Sequence, residues 1–438
     1  MDIFRLPKDT VMTPELLAEY ITKHKMLVNT YYQKFKNAYE NKYEIYDLPD
    51  KDLHKPDNRI SVNFAKYIVD TFNGFFIGNP IKISADEKGV NDYIQFIDRY
   101  SDQDDNNAEL SKICSIYGHG YEMYYNDDGQ IAITYLNPTE AFIIYDESIV
   151  EKPLFFVRYY KDYKNIERGS WSDGGFIQYF HNNGSYVFDD YYLHGFDGVP
   201  ATEYVENAER TSIFDSALPM INAYNKAISE KANDVDYFAD AYLKIIGALV
   251  DDEDVCKIKN NRILNLTQSA QDVIVDFMEK PNADTTQENL IERLEKLIFQ
   301  ISMVANISDE NFGTSSGIAL KYKLLSMANL AKTKERKFTS GMNRRYKIIF
   351  SNPLSGMKSD SWIGIDYKFT FNLPANTLEE VQMASQLEGV VSNETKLSVL
   401  SFVDDVKSEI EKMKQEDIDN AVSIVDKRMF EGLDDEQL

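Results

Sequence analysis

Residues 313–317 read GTSSG. This satisfies the G-x-S-x-G pattern of a serine-hydrolase elbow, a strained strand-to-helix turn that exposes a nucleophilic hydroxyl, here that of Ser315. Such a serine needs an imidazole to take its proton. The five histidines, His24, His54, His119, His181 and His194, all precede Ser315, whereas the histidine of that elbow follows its serine. The residues ahead of the loop have helical spacing, so the elbow also lacks its strand. Other hydrolase folds order their triads differently, and order alone does not decide. Context and missing histidine together favour Ser316 as a helix N-cap, with Gly313 and Gly317 making the loop mobile, and no catalysis.

Other chemistry is equally thin. No G-x-x-x-x-G-K-[ST] run exists to cradle a phosphate, and YGHGY at 117–121 reads as a turn ahead of a hairpin. The acidic runs DQDD (102–105) and DDED (251–254) lack the glycine and terminal glutamate of a calcium loop and read as solvated turns. DDED also fits an exposed contact surface at the tip of an insert. Cys114 and Cys256 belong to no C-x-x-C, which suggests neither a disulfide framework nor a zinc site and fits a reducing compartment. No cofactor or metal is expected.

Charge is the anomaly. With 47 Lys and Arg against 72 Asp and Glu, the net charge is −25, which argues against a protein that grips a phosphate backbone over its whole surface. Yet between Gly317 and Arg345 stand Lys321, Lys323, Lys332, Lys334, Arg336, Lys337, Arg344 and Arg345 against one acid, Glu335. Two accounts stand: a solvated face pairing with acidic neighbours, or phosphate contacts that are salt-sensitive and blind to base sequence.

The elements that would position these groups follow from periodicity. At 438 residues, 43% hydrophobic and 13% aromatic, the chain has room for two or three domains with their own cores. The N-terminus, MDIFRLPKDTVMTPELL, carries charges where a signal peptide needs an apolar run, and no stretch approaches the ~20 apolar residues of a membrane span. A soluble, intracellular product is expected.

Leu16, Leu17, Tyr20, Ile21 and Leu27 stripe a helix over 13–43, and Val62, Ala65, Ile68, Val69 and Phe72 a second that Gly78, Asn79 and Pro80 stop. After a further helical stretch, Asp128-Gly129 and Asn183-Gly184 signal hairpins in an antiparallel, β-rich region from ~118 to ~206. Leu218, Ile221, Tyr224, Ile228, Ala232, Val235, Ala239 and Tyr242 then step by three or four along a helix of about 27 residues, roughly 40 Å long, which Ser216 can cap. An insert follows, with strand-like NRILNLT and DVIVDFM. The next helix spans 286–306, the loop ISDENFGTSSG comes after it, and a third long helix covers 318–350. WIGIDYKFTFNLPAN alternates as a returning strand, and the remainder reads as helices that break at VSNETK and end in the acidic EGLDDEQL. The fold class is α+β.

This order of elements resembles the portal proteins of tailed bacteriophages, in particular the family typical of siphophages of Gram-positive hosts. The resemblance runs over nearly the whole chain. It is carried by NRISVNFAKYIVDTFNGFFIGNPIKIS, NPTEAFIIYD with FVRYY, INAYNKAISEKANDV, ISDENFGTSSGIALKYKL and LEGVVSNETKLSVLSFVDDVKSEIEKMKQE. It implies a portal-type fold: a mixed wing domain (1–210, with the strand near 361–372), a two-helix stem (211–243 and 286–306), a small α/β clip (244–285), a tunnel loop (307–317), the long basic helix and returning wing strand (318–375), and a helical crown (376–438).

By the same resemblance, Asp309, Glu310, Asn311, Phe312, Gly313, Thr314, Ser315, Ser316 and Gly317 form the tunnel loop. The eight basic residues are candidates for a DNA channel. Asp251, Asp252, Glu253, Asp254, Lys257, Lys259 and Arg262 are candidate clip contacts. The family implies a non-enzymatic homo-oligomeric ring of about twelve subunits, closed by head-to-tail contacts. Double-stranded DNA passes through it without sequence preference during packaging and ejection. Its partners are the terminase large subunit, a head-tail adaptor, and capsid and scaffolding proteins, with no membrane. Its place is the capsid portal vertex of the virion, after synthesis in the host cytoplasm.

With Asp309 and Glu310 in the loop and no base before Lys321, the loop is expected to meet DNA sterically, without tight binding. The other readings are a different head-tail connector ring component, which would be shorter and would not need two stem-like helices flanking an insert, and the serine hydrolase argued against above.

Overall fold

A three-residue strand, β1 (Phe4–Leu6), opens the chain. Thr13 starts α1 (Pro14–Leu27): its hydroxyl accepts from Leu16 N at 3.2 Å, and Pro14 fills the first turn, where no N–H is needed. A π-helical turn, Val28–Tyr32, carries α1 into α2 (Gln33–Tyr39). Asn63 caps α3 (Phe64–Ile77), whose Ile68, Val69, Phe72 and Phe76 are buried, and Gly78 closes it as its sequence signals. Next come β2 (Lys82–Ala85), α4 (Lys88–Tyr100) and α5 (Gln103–Tyr117). The glycine pair at 117–121 is the end of α5: Gly118 has φ +90°, and a Cβ there would lie 2.3 Å from Arg210 O.

The structure is a computed structural model that describes residues 3–51, 55–239, 243–246, 274–277, 284–307, 320, 322–372, 377–400, 403, 406, 409–416 and 418. The nine tunnel-loop candidates Asp309–Gly317, the seven clip-contact candidates between Asp251 and Arg262, Lys321, the NRILNLT stretch and the acidic tail lie outside the described residues. Two compact units divide the chain: Met1–Ser315 with Ala319–Phe371, and Ser316–Ile318 with Asn372–Leu438.

In the first unit, β3 (His119–Asp127) and β4 (Gln130–Leu136) form the hairpin expected at Asp128-Gly129, both at positive φ. After them run β5 (Ala141–Asp146), β6 (Pro153–Lys161), β7 (Glu167–Ser172), β8 (Phe176–Asn182), β9 (Tyr186–Leu193) and β10 (Ala201–Val205). Gly184, at φ +92°, turns β8 into β9.

The strands make a six-stranded sheet, β1-β5-β6-β7-β8-β9, and a three-stranded sheet, β10-β3-β4. The β-rich region is antiparallel as expected, except that β1 joins it in parallel beside β5. Three residues of strand carry too short an alternation to announce themselves.

Beyond β10, a 3-10 turn (Asp215–Ala217) leads into α6 (Leu218–Ala239). The helix starts two residues after the expected Ser216 cap and is described to Ala239, and Leu243–Ile246 is a strand, β11, paired with β12 (Ile274–Phe277). The seam of α6 meets α7 (Asp284–Ser302), which ends four residues before the expected Asn306. The long helix α8 runs Leu325–Ser351. After it, β13 (Ile365–Lys368) returns antiparallel to β2.

One apolar core gathers α2, α3, α5, α6, α7 and the first half of α8; a second joins α4, β3, β4 and the end of α8. In the second unit, α9 (Thr377–Gln386) is followed by α10 (Asn393–Leu397), which Ser392 caps inside the stretch read as a break. A helical stretch at 409–416 comes later.

Candidate functional site

The basic helix α8 was the strongest chemical signal, and its geometry divides the charges in two. At 100° per residue, Lys334, Phe338, Gly341 and Arg345 (i, i+4, i+7, i+11) fall on one stripe, while Lys332 and Arg336 fall on roughly the opposite side. The first stripe is buried and the second exposed. Hence the positive charges of α8 do not share one environment.

Lys334 enters a pocket of α5, α3 and the segment after β10. Its Nζ lies 2.6 Å from Glu206 Oε2, with side-chain exposures of 1% and 2%. It donates to Ser111 O at 2.9 Å and Ser115 Oγ at 2.7 Å, while the Ser115 hydroxyl lies 3.2 Å from Glu206 Oε2. The ammonium stands 5.3 Å from the centroids of both Phe72 and Phe76. A lone cation in such surroundings would cost several kcal/mol; the carboxylate makes it tolerable.

Arg345 is buried outright, at 0% exposure, against Glu122 of β3 at 1%. Its Nε and one terminal nitrogen reach the two Glu122 oxygens at 2.8 and 2.7 Å, the planar fork that suits a carboxylate. The same terminal nitrogen donates to Asn107 Oδ1 at 2.6 Å. Glu122 further accepts from Gln103 at 3.1 Å, Tyr124 at 3.0 Å and Tyr204 at 3.1 Å. Five donors on one carboxylate fix its position. Asp98 stands next to this network, receiving the Tyr346 hydroxyl at 3.3 Å. Burial pushes its carboxyl up to about 6, against the opposing pull of Arg345.

Between the two pegs, Gly341 lets Tyr204 lie flat on the helix. A Cβ at 341 would stand 2.5 Å from Tyr204 Cε1. Arg344, half-buried, reaches only the carbonyls of Ala201 and Val199, both at 3.4 Å, and burial lowers its affinity for the proton.

A third buried pair sits nearby. Glu203 receives Arg210 through two nitrogens at 2.7 Å each, His119 Nδ1 at 2.7 Å and Tyr145 at 2.6 Å. Burial pushes this carboxyl up, but Arg210 and His119 outweigh it and hold it well below its usual range. His119 Nδ1 donates to this carboxylate, and its Nε2 is hydrogen-bonded to the Tyr32 hydroxyl at 2.6 Å.

A family model described as "Phage portal protein, SPP1 Gp6-like" matches residues 18–422. The chain belongs to that family. It is similar to the portal protein of Clostridium phage phiCD119, 23% identical over 89% of this chain and 91% of that protein. It is also similar to the portal protein of Bacillus phage SPP1, 23% identical over 93% of this chain and 86% of that one. A chain in a solved structure, the neck of an empty GTA particle computed with C6 symmetry, is similar at TM-score 0.47 and 11% identity, over 76% of this chain and 89% of that chain.

The span matched to the portal family contains both pegs and all their partners. Of the eight channel candidates, Lys334 and Arg345 are buried pegs in this fold, each closed off from solvent against its own carboxylate. Arg344 is drawn inward as well. Lys323, Lys332 and Arg336 remain exposed and Lys337 half-buried; Lys332 pairs with Glu335 at 2.7 Å and lies 5.0 Å from the Phe371 ring centroid.

Sequence reading missed the partners Glu122 and Glu206. The available signal was a glutamate inside the otherwise apolar run GYEMYY. For the serine, the four described histidines are all engaged elsewhere: His24 with Tyr159 and Pro138, His119 with Tyr32 and Glu203, His181 with Asp189, and His194 with Asp173 and Phe196. The acidic run at 102–105 puts Asp104 and Asp105 in the first turn of α5, where carboxylates complement the positive end of the helix.

Proposed function

We propose that this chain is the subunit of a portal ring at one capsid vertex, a structural conduit through which double-stranded DNA enters during packaging and leaves during ejection. The observation that carries this is the portal-family match over residues 18–422. The protein works as a component of the virion, docking a terminase on one side of its working life and a head-tail adaptor on the other. A closed head-to-tail ring of about twelve copies is the assembly such a conduit requires. Among the described residues no helix is long and apolar enough to cross a membrane.

Within the subunit, we assign the β-rich region with the returning strand β13 to the wing, the antiparallel pair α6 and α7 to the stem, residues 244–285 to the clip, 307–317 to a tunnel loop and the C-terminal helices to the crown. The α6–α7 packing and the β11–β12 pair between them favour this division. Lys323, just ahead of α8, and Lys332 and Arg336 of α8 are the basic residues that we assign to DNA or to a neighbouring copy, since they keep their solvent exposure. Charge screening confines any such effect to ~8 Å at physiological salt.

The experiment is deletion of Asn311–Ser315. Rings should assemble as in the unaltered protein while DNA packaging or retention fails. Loss of assembly itself would show that these residues belong to the ring interface and not to a loop in the channel.

A further inference from the structure

One face of the six-stranded sheet carries a guanidinium, that of Arg158, which no carboxylate among the described residues neutralises. Arg158 of β6 stands in register with Ser170 of β7, and Ser170 with Tyr179 of β8, so the three share one sheet face. Tyr192 of β9 extends the row, its ring 6.1 Å from that of Tyr179. Opposite stand Met123, Tyr125 and Thr134 of the three-stranded sheet, and the cleft between the two sheets measures about 560 Å3. Clefts of this size hold several residues of an extended peptide or a small ligand.

Arg158 Nε is buried in this cleft without a hydrogen-bond partner; the guanidinium carbon lies 5.6 Å from the Tyr160 ring centroid. The other buried cations behave differently: Lys334, Arg345 and Arg210 each hold a carboxylate at 2.6–2.7 Å. An unsatisfied charged donor is costly, and a carboxylate is the acceptor that matches it.

The cleft opens beside an unprotected strand. β9 forms one edge of its sheet and is eight residues long, whereas the opposite edge, β1, has three. Long edges invite pairing unless they are blunted, and this one ends in Tyr191, Tyr192 and Leu193, which are 65%, 57% and 79% exposed. Three consecutive large apolar side chains at that exposure mark a contact surface.

We infer that a neighbouring copy of this chain docks here, placing a carboxylate-bearing segment in the cleft on Arg158 and its apolar side chains against Tyr179, Tyr192 and Leu193. This rests on the ring reading above. Head-to-tail closure requires each subunit to offer two different, complementary patches. A chain with 72 acidic against 47 basic residues supplies carboxylates readily and unpaired guanidinium groups rarely. Charge complementarity thus favours an acidic segment of a second copy: among the described residues the cleft lining holds Arg158 and no Asp or Glu.

The test uses the purified full-length chain with a photo-cross-linking benzophenone amino acid in place of Tyr192. Expected is a cross-linked species of twice the chain mass, whose second peptide contains Asp or Glu. Arg158→Ala should lower its yield, and the ring fraction at fixed subunit concentration, by at least about tenfold, the effect of losing one close charge pair. The thermal unfolding of the isolated Arg158→Ala subunit should stay within about 2 °C of the unaltered subunit, because among the described residues Arg158 makes no ion pair and its ring contact is with the exposed Tyr160; a melt lowered further would mean an internal role and overturn the proposal. Intact rings without an inter-copy cross-link from position 192, or Arg158→Ala rings that form as readily as the unaltered ones, would overturn it and leave the ring reading standing. Absence of rings from the unaltered protein would sink both.

Discussion

Replacing Lys334 by Met keeps the aliphatic stem that packs near Phe72 and Phe76 and removes only the ammonium. What remains is Glu206, 2% exposed, with the more distant Ser115 hydroxyl as a donor, and Ser111 O without its 2.9 Å partner. Breaking a buried pair from one side costs about 3–5 kcal/mol, because the surviving charge is left uncompensated. At roughly 2 °C per kcal/mol for a unit of this size, the midpoint of thermal unfolding should fall by about 6–10 °C. Glu206→Leu alone should cost a similar amount. The double variant Lys334→Met/Glu206→Leu should recover to within about 2 kcal/mol of the unaltered protein, since well-packed apolar pairs replace buried ion pairs at little loss. Urea unfolding of the four proteins closes the cycle. If Lys334→Met costs under about 1 kcal/mol, as a solvated surface lysine would, and instead flattens the salt dependence of DNA retention, the peg assignment is wrong and Lys334 is a DNA contact after all.

Two glycines make a matched pair of predictions. Gly341→Ala should destabilise, because overpacking against Tyr204 at 2.5 Å costs about 1–3 kcal/mol and outweighs the ~1 kcal/mol helix-propensity gain. Gly74→Ala, in α3 with nothing within 4 Å of its Cβ position, should stabilise by up to ~1 kcal/mol in the same denaturation assay. His24 gives a pH prediction. Its Nε2 donates to Pro138 O at 2.9 Å and its Nδ1 accepts from Tyr159 at 2.8 Å, a neutral imidazole that burial holds down at about 3. The folded value lies below the unfolded one, so this stabilisation is complete above about pH 6.5 and is lost as pH falls toward 3, with about 2 kcal/mol gone by pH 5. His24→Gln should lack that part of the difference between urea midpoints at pH 7 and pH 5; an unchanged difference would show that His24 is not the group responsible.

Long elements were legible because their signals repeat. The stripes of α3 and α6, the Asp128-Gly129 and Asn183-Gly184 turns and the return of β13 each rest on several residues that agree. Boundaries slipped where a second element started at the edge of the first, as at Leu243, the last residue of the span read as stem helix, where the strand β11 begins. The charges of α8 misled for a deeper reason. Hydropathy reads Lys334 and Arg345 as solvent-facing, and only their carboxylates, Glu206 and Glu122, at sequence distances of more than a hundred residues, allow them to be buried. Helical phase was the one local clue: Lys334 and Arg345 share a stripe with Phe338 and Met342, and Lys332 and Arg336 do not.

The central claim is a ring with a DNA channel, and electron microscopy of the purified chain tests it most directly. Class averages should show closed rings of about twelve subunits with a central hole wide enough for duplex DNA. A monodisperse monomer at high concentration, or an open filament without closure, would contradict it.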